Sequence, residues 1–265
     1  MKGLKILYVA AWRIFAHMGI AFKISAPWLG IACVCLAVFA FGFPMMGSAM
    51  TFIGIVLSFA TLLGALSCIA IGWHRYSLLA EVPEGWFYRP GKKELKAYFI
   101  TLFKFCLVFL AFLLIVQIIF FACGLVARLI LLMETVPPFF MQIAGTAVTF
   151  VSGVLFTGLA IVLPAAALRH DYSLADAYAA AKKNLSTLIV FSIGYSLISF
   201  LYDLALDNAE VMKTPGPLDL GLVTMLAFVV ISTWFFILFS IGYLSELYRT
   251  FVLEEETDAK LEPST

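Results

Sequence analysis

The stretch Gly72-Trp73-His74-Arg75-Tyr76-Ser77-Leu78-Leu79-Ala80-Glu81 decides the fold, because it closes a run from Ile24 to Trp73 without one Asp, Glu, Lys or Arg. A histidine beside an arginine, with Glu81 soon after, has two readings. One is a proton-transfer or phosphate-gripping site, since imidazole titrates near neutrality and guanidinium holds phosphate oxygens in a fork. The other is the place where a helix leaves a bilayer: Trp73 and Tyr76 are the aromatics expected where a span meets headgroups, and Arg75 is long enough to snorkel. Composition favours the bilayer. The chain is 63% hydrophobic and 12% charged, with a mean hydropathy of +1.05, whereas roughly a quarter of a soluble domain is charged. Long unbroken apolar runs select helices over a barrel, whose strands would alternate.

A spanning helix needs roughly twenty apolar residues, and the chain supplies six such runs. They predict an all-α integral membrane protein of three hairpins, with spans at about 26–45, 50–73, 102–127, 137–168, 185–204 and 220–246. Residues 1–253 form one transmembrane domain on this reading, and 254–265 an acidic, disordered tail. Six spans place both termini on one side. All but two of the 17 Lys and Arg, namely Arg128 and Lys213, fall on that side too, which the positive-inside rule makes cytoplasmic. The acids Glu134, Asp203, Asp207, Glu210 and Asp219 gather opposite, and 207–219 is the sizeable external loop.

Three spans return to end in a similar basic-aromatic cluster: GWHRYSLLAE, ALRHDYS and SELYRTF. Residues 1–23 resist a signal-peptide reading because Arg13 and Lys23 interrupt the apolar run. Leu4, Leu7, Tyr8, Ala11, Ile14, Phe15, Met18 and Phe22 recur at helical spacing, with Lys2, Lys5, Arg13 and His17 opposite. That predicts an amphipathic helix in the interface, with Trp12 at headgroup depth. Ser173 and Asp176 form a capping pattern before a second amphipathic segment carrying Leu174, Tyr178, Ala181 and Leu185 on one face. Between the second and third spans, Trp86, Phe87 and Tyr88 precede Lys92, Lys93 and Lys96. Basic groups at such sites hold acidic headgroups, so His74, Arg75, Arg89, Lys92, Lys93, Lys96, Arg169, Lys182 and Lys183 are the candidate lipid contacts. The bland reading of the same charges is a solvated loop that obeys the orientation rule.

Other chemistry finds little support. Cys33, Cys35, Cys68, Cys106 and Cys123 all lie in apolar runs, odd in number and without CxxC spacing, so neither zinc nor disulfides are expected. No metalloprotease, serine-hydrolase, P-loop or dinucleotide motif occurs, so neither catalysis nor a cofactor is expected. A net charge of +1 and the lack of a basic stripe exclude nucleic acid. No ionisable group sits at the centre of a span, where a pump would need one. Gln117 is the strongly polar central side chain; Glu246 and Arg249 sit near a span end, within reach of water or headgroups; Pro164 predicts a kink. Small residues at four-residue spacing let helix backbones approach in lipid. Ala60, Gly64, Cys68 and Gly72 make one such seam, and Gly145, Thr149, Gly153 and Thr157 a second.

The N-terminal helix, AIGWHRYSLLAE with its RPGKKELKAYF continuation, and LPAAALRHDYSLADAYAAAKKN together resemble a group of bacterial inner-membrane proteins. That group includes the membrane domain attached to some glycerophosphodiester phosphodiesterases. The matching residues include none of the phosphodiesterase domain, so the resemblance implies a helical bundle in a bacterial cytoplasmic membrane rather than an activity. The expected function is non-enzymatic: a membrane-organising or accessory component touching acidic phospholipid, and a partner membrane protein, at its cytoplasmic rim. The alternatives are a transporter or channel for a lipidic or small apolar solute, whose path needs a polar cavity near Gln117, Thr149 or Ser232, and a lipid-modifying enzyme, which needs His74 and His170 in one cleft.

Overall fold

A computed structural model describes residues 2–43, 47–85, 87–131, 138–211 and 220–254, with side chains described except at 40–42, 49, 120, 123–147, 149 and 199–228. No strand occurs among the described residues. The helices are α1 (Lys2–Ala16), α2 (Met18–Gly42), α3 (Ser48–Leu79), α4 (Lys92–Leu131), α5 (Pro138–Leu159), α6 (Val162–Leu168), α7 (Leu174–Lys183), α8 (Leu185–Val211) and α9 (Leu220–Tyr248). A wide π turn, Arg249–Leu253, follows α9. Five segments are long and apolar enough to cross a membrane: Met18–Phe39, Met50–Leu79, Lys92–Ile119, Phe150–Leu168 and Val229–Leu253. Leu185–Ile198 is apolar but shorter over its described side chains. The chain is a multi-pass helical membrane protein. The expected acidic tail, apart from Glu254, and the 212–219 part of the external loop lie outside the described residues.

Local chemistry explains where the helices stop. α3 ends at Ala80, whose φ of 56° is left-handed and whose N–H returns to the Tyr76 carbonyl. Pro164 has no N–H for the Ala160 carbonyl, and its ring would crowd that oxygen. The chain accordingly breaks between α5 and α6, the Ala160 carbonyl accepting from Leu163 N–H at 3.0 Å. The expected kink is thus a full break, with Pro164 in the first turn of α6, where a missing donor costs little. α6 stops at Arg169, left-handed at φ 59°, and α7 opens with a complete Ser173–Asp176 capping box.

α2 and α3 form a hairpin, and α3 also packs on α4, α6 and α9, while α5 lies against α7 and α8. α1 joins the bundle. Its inward stripe is Gly3, Ile6, Leu7, Ala10 and Ile14, set against α8 and α9. A Cβ on Gly3 would lie 2.7 Å from the Thr187 carbonyl oxygen and 2.8 Å from the Phe191 nitrogen, so only glycine permits this backbone approach. The expected apolar face therefore splits. Leu7, Ala11 and Ile14 turn inward or partly so, while Leu4, Tyr8, Trp12 and Phe15 stay exposed, and Arg13, expected opposite, reaches into the bundle.

The most enclosed side chains, Trp73, Tyr248, Phe191, Ile14, Ile24, Ile161, Leu188 and Leu247 among them, come from the ends of α3 and α9, the starts of α2 and α8, the α5–α6 junction and α1. Further along the same helices apolar side chains face outward, Phe52, Ile55, Phe59, Leu114, Ile118, Val230 and Ile231 among them. A surface so apolar suits lipid and not water.

Candidate functional site

The site of interest is the junction of the three helix exits. Each exit leaves last-turn carbonyls without intrahelical partners, and the negative end of a helix favours cations there. The Ser77 carbonyl at the end of α3 accepts from Arg13 Nη1 at 2.9 Å and from Arg249 Nη2, which comes from the end of α9. The Ala167 carbonyl at the end of α6 accepts from Arg75 Nη1 at 3.2 Å. Arg75 is itself held by both oxygens of Glu81, each at 2.7 Å. His170 Nδ1 meets the Tyr248 hydroxyl, tying the α6 exit to α9. Together these bonds close a ring: α3 to α6 through Arg75, α6 to α9 through His170 and Tyr248, and α9 back to α3 through Arg249.

A second link joins α9 to α3 deeper in the bundle. His74 Nδ1 lies 2.8 Å from Ser245 Oγ, and the Ser245 hydroxyl is aimed at the Ile241 carbonyl, 3.3 Å away. The direction of the His74–Ser245 bond depends on the imidazole tautomer, and His74 Nε2 has no hydrogen-bond partner among the described residues. Ser245 and Tyr248 are three residues apart on α9, so one face of that helix receives both histidines.

Glu246, 6% exposed, sits between two arginines. It forms an ion pair with Arg13 and accepts from Arg249 Nη1 at 3.4 Å. Burial pulls the Arg13 guanidinium below its ordinary pKa, Glu246 pulls it back up, and neighbouring Arg249 lowers it again. Glu246 and Arg249 are expected within reach of water or headgroups; Arg249 is partly exposed, but Glu246 is buried beside Arg13 of α1, which corrects the expectation for it. The three-fold recurrence of basic-aromatic exits was the sequence signal for the junction, but nothing in it paired Arg13 with Glu246.

The expected headgroup contacts divide into two sets. Arg89, Lys92, Lys93, Lys96, Arg169, Lys182 and Lys183 are exposed, and Arg169 lies 3.9 Å from Glu94. His74 is fully enclosed, so it reaches no headgroup, and the Arg75 guanidinium is committed to Glu81 and Ala167. The second set is therefore structural. Tyr88, in the connection beyond α3, is half-buried over Gly72, its carbonyl taken by Trp28 Nε1 at 2.9 Å; burial pushes its hydroxyl up to about 12.

The residues of the two expected packing seams differ in their surroundings. Cys68 and Gly72 are buried, and a Cβ on Gly72 would come within 2.8 Å of both Ile24 and Tyr88. Ala60 is exposed, and a Cβ on Gly64 or Gly153 would meet nothing within 4 Å. Thr157 is half-buried, while the Gly145 and Thr149 side positions lie outside the described residues. Close approaches that the seams missed include Gly3, Gly54, Gly158 and Gly194. A Cβ on Gly54 would sit 2.9 Å from Phe43, and one on Gly158 2.6 Å from Ala181.

Of the residues on which the alternative functions depend, Thr149 lies outside the described side chains. Gln117 faces outward on α4. Ser232 donates to the Val229 carbonyl at 3.1 Å, at the wall of an otherwise apolar recess of about 450 Å³ between α1, α8 and α9. His74 and His170 line no common cavity among those described. No protein-family model, no curated protein and no solved structure gives a significant match to this chain.

Proposed function

We propose that the protein is a non-enzymatic, membrane-organising or accessory component of a bacterial cytoplasmic membrane, with six spans and both termini cytoplasmic, whose exposed basic rim binds acidic phospholipid. It would be a relative of the membrane domains attached to some phosphodiesterases. α8 supplies the fifth of the six spans on this reading, its 27 residues being ample for a bilayer core of about 30 Å.

One observation carries the reading. The polar groups at the exits are used on one another, Arg75 on Glu81 and Ala167, His74 on Ser245, and Glu246 on Arg13 and Arg249, while Arg89, Lys92, Lys93 and Lys96 stand exposed beside them. A junction whose charged groups are engaged with one another holds helices together and leaves the outer lysines to meet the leaflet, although Trp73 Nε1, His74 Nε2 and Ser77 Oγ are buried there without a hydrogen bond. Each lysine near a charged leaflet contributes about 1 kcal/mol. Replacing Lys92, Lys93 and Lys96 with Gln should therefore reduce the preference for phosphatidylglycerol over phosphatidylcholine by up to about a hundredfold. The readout is the lipid composition retained around the protein in mixed nanodiscs; enrichment equal to wild type would reject the rim.

A further inference from the structure

We propose that the open groove between α5, α7 and α8 seats one acyl chain of a bilayer phospholipid whose acidic headgroup is held by Lys182. The inference rests on the reading of this end of the bundle as a leaflet-facing basic rim, and it names a site within that rim.

The groove has a volume of about 390 Å³, inside the range of roughly 300–1,000 Å³ typical of ligand pockets. α5 gives it Val151, Val154 and Leu155, and α8 gives it Leu188 and Ile189. Its two polar side chains, Tyr178 and Lys182, both come from α7. They stand four residues apart, one helical turn on one face, and both are exposed. The polar end of the groove is thus a single edge, and the remainder is hydrocarbon in character.

Three features select a membrane lipid as the occupant. Where α5 meets α7 the groove is shut, because a Cβ on Gly158 would lie 2.6 Å from Ala181. In the other direction it runs on into the outward apolar stripe of α8, where Ile193 and Leu197 are 57% and 59% exposed. A chain entering from the side therefore passes from bilayer to groove without crossing water. Charge is asymmetric as well: Asp176 is engaged in the capping box at the start of α7, whereas Lys182 and Lys183 lie at its end, beside the groove. Among the described residues Lys182 has no ion-pair partner, so its ammonium is available to a phosphate oxygen.

The full chain reconstituted with phosphatidylglycerol or phosphatidylcholine carrying a diazirine in one acyl chain tests this directly. Peptides from the α5 and α8 walls should be labelled about fivefold more by the acidic probe, the factor one lysine near a headgroup supplies. Lys182→Gln should bring the two probes level. Val151→Trp, at an exposed position, should block groove labelling while labelling of the outward faces of α3 and α4 persists, which reports an intact fold in the bilayer. Equal labelling of the groove by both probes in wild type, or groove labelling unchanged by Val151→Trp, overturns the proposal. The rim reading fails separately, on whole-nanodisc lipid composition in the three-lysine variant.

Discussion

Trp73 and Leu247 are wholly enclosed, yet Phe59 on the same α3 and Val230 on the same α9 are 68% and 65% exposed. The two ends of the bundle are held by different means. In lipid, apolar contact between helices gains little over contact with acyl chains, so association depends on close packing of small residues and on hydrogen bonds. Among the described residues both are concentrated at the exit end, where Gly3, Gly72 and Gly158 admit neighbouring atoms and the arginine–carbonyl ring ties α3, α6 and α9 together. Towards the other end Gly64 and Gly153 face open space, while Gly54 packs against Phe43 within the α2–α3 hairpin. Cohesion of this protein therefore lives at the helix exits, where polar groups have partners fixed by three separate stretches of chain.

The largest test removes the shared carboxylate. Glu246→Gln leaves Arg13 and Arg249 facing the Ser77 carbonyl without their counter-charge, and uncompensated buried charge costs roughly 3–5 kcal/mol. Their side chains retain 19% and 31% exposure, so about 3 kcal/mol is expected, read as a lower midpoint in reversible mixed-detergent unfolding. A loss under about 1 kcal/mol would make the ion cluster a solvated surface pair instead. Next in size is the contrast between glycines. Gly72→Ala drives a methyl into Ile24 and Tyr88 and should cost about 1–3 kcal/mol by overpacking. Gly64→Ala, two turns away on the same helix, meets nothing and should be neutral or gain up to about 1 kcal/mol from helix propensity. Equal effects at the two glycines would erase the distinction between the ends.

The sequence made the spans legible because hydrocarbon burial is a bulk property, written in runs such as Ile24 to Trp73. It made the exits legible too, since Trp, Tyr and Arg mark an interface wherever it falls. What stayed hidden depends on relative placement. Four-residue spacing identifies the face of α3 that carries Gly64 and Gly72, but not how far along that face a neighbour stays in contact. The apolar face of α1 is broad, so the pattern alone could not choose the stripe with Gly3 and Ala10 over the one with Tyr8 and Trp12. Glu246 near a span end fits an exposed charge as well as an enclosed one; only the approach of Arg13, from more than two hundred residues earlier in the chain, decides between them. His74 was ambiguous for the same reason, its burial being set by α9.

The smallest expected effect is a local one, at the start of α7, and it sets a carboxylate that caps one helix against the carboxylate that joins two. Ser173 Oγ accepts from Asp176 N–H at 3.2 Å, while Asp176 Oδ2 accepts from the Ser173 N–H at 2.9 Å and from its hydroxyl at 2.6 Å. These bonds favour the ionised carboxylate and hold its pKa below the ordinary value. A depressed folded pKa means that the unfolded helix binds the proton more readily, so the contribution is complete above the ordinary aspartate value near 4 and is lost as pH falls through the lower folded value. Amide exchange of α7, corrected for intrinsic rates, should show flat protection from neutral pH down to about 5 and a decline only in stronger acid. Ser173→Ala should weaken α7 at neutral pH by about 1 kcal/mol while leaving the exchange of α3 and α9 unchanged. Were α3 to loosen with it, the cap would belong to the junction, and the division between local capping and cross-helix clasping would fail at that point.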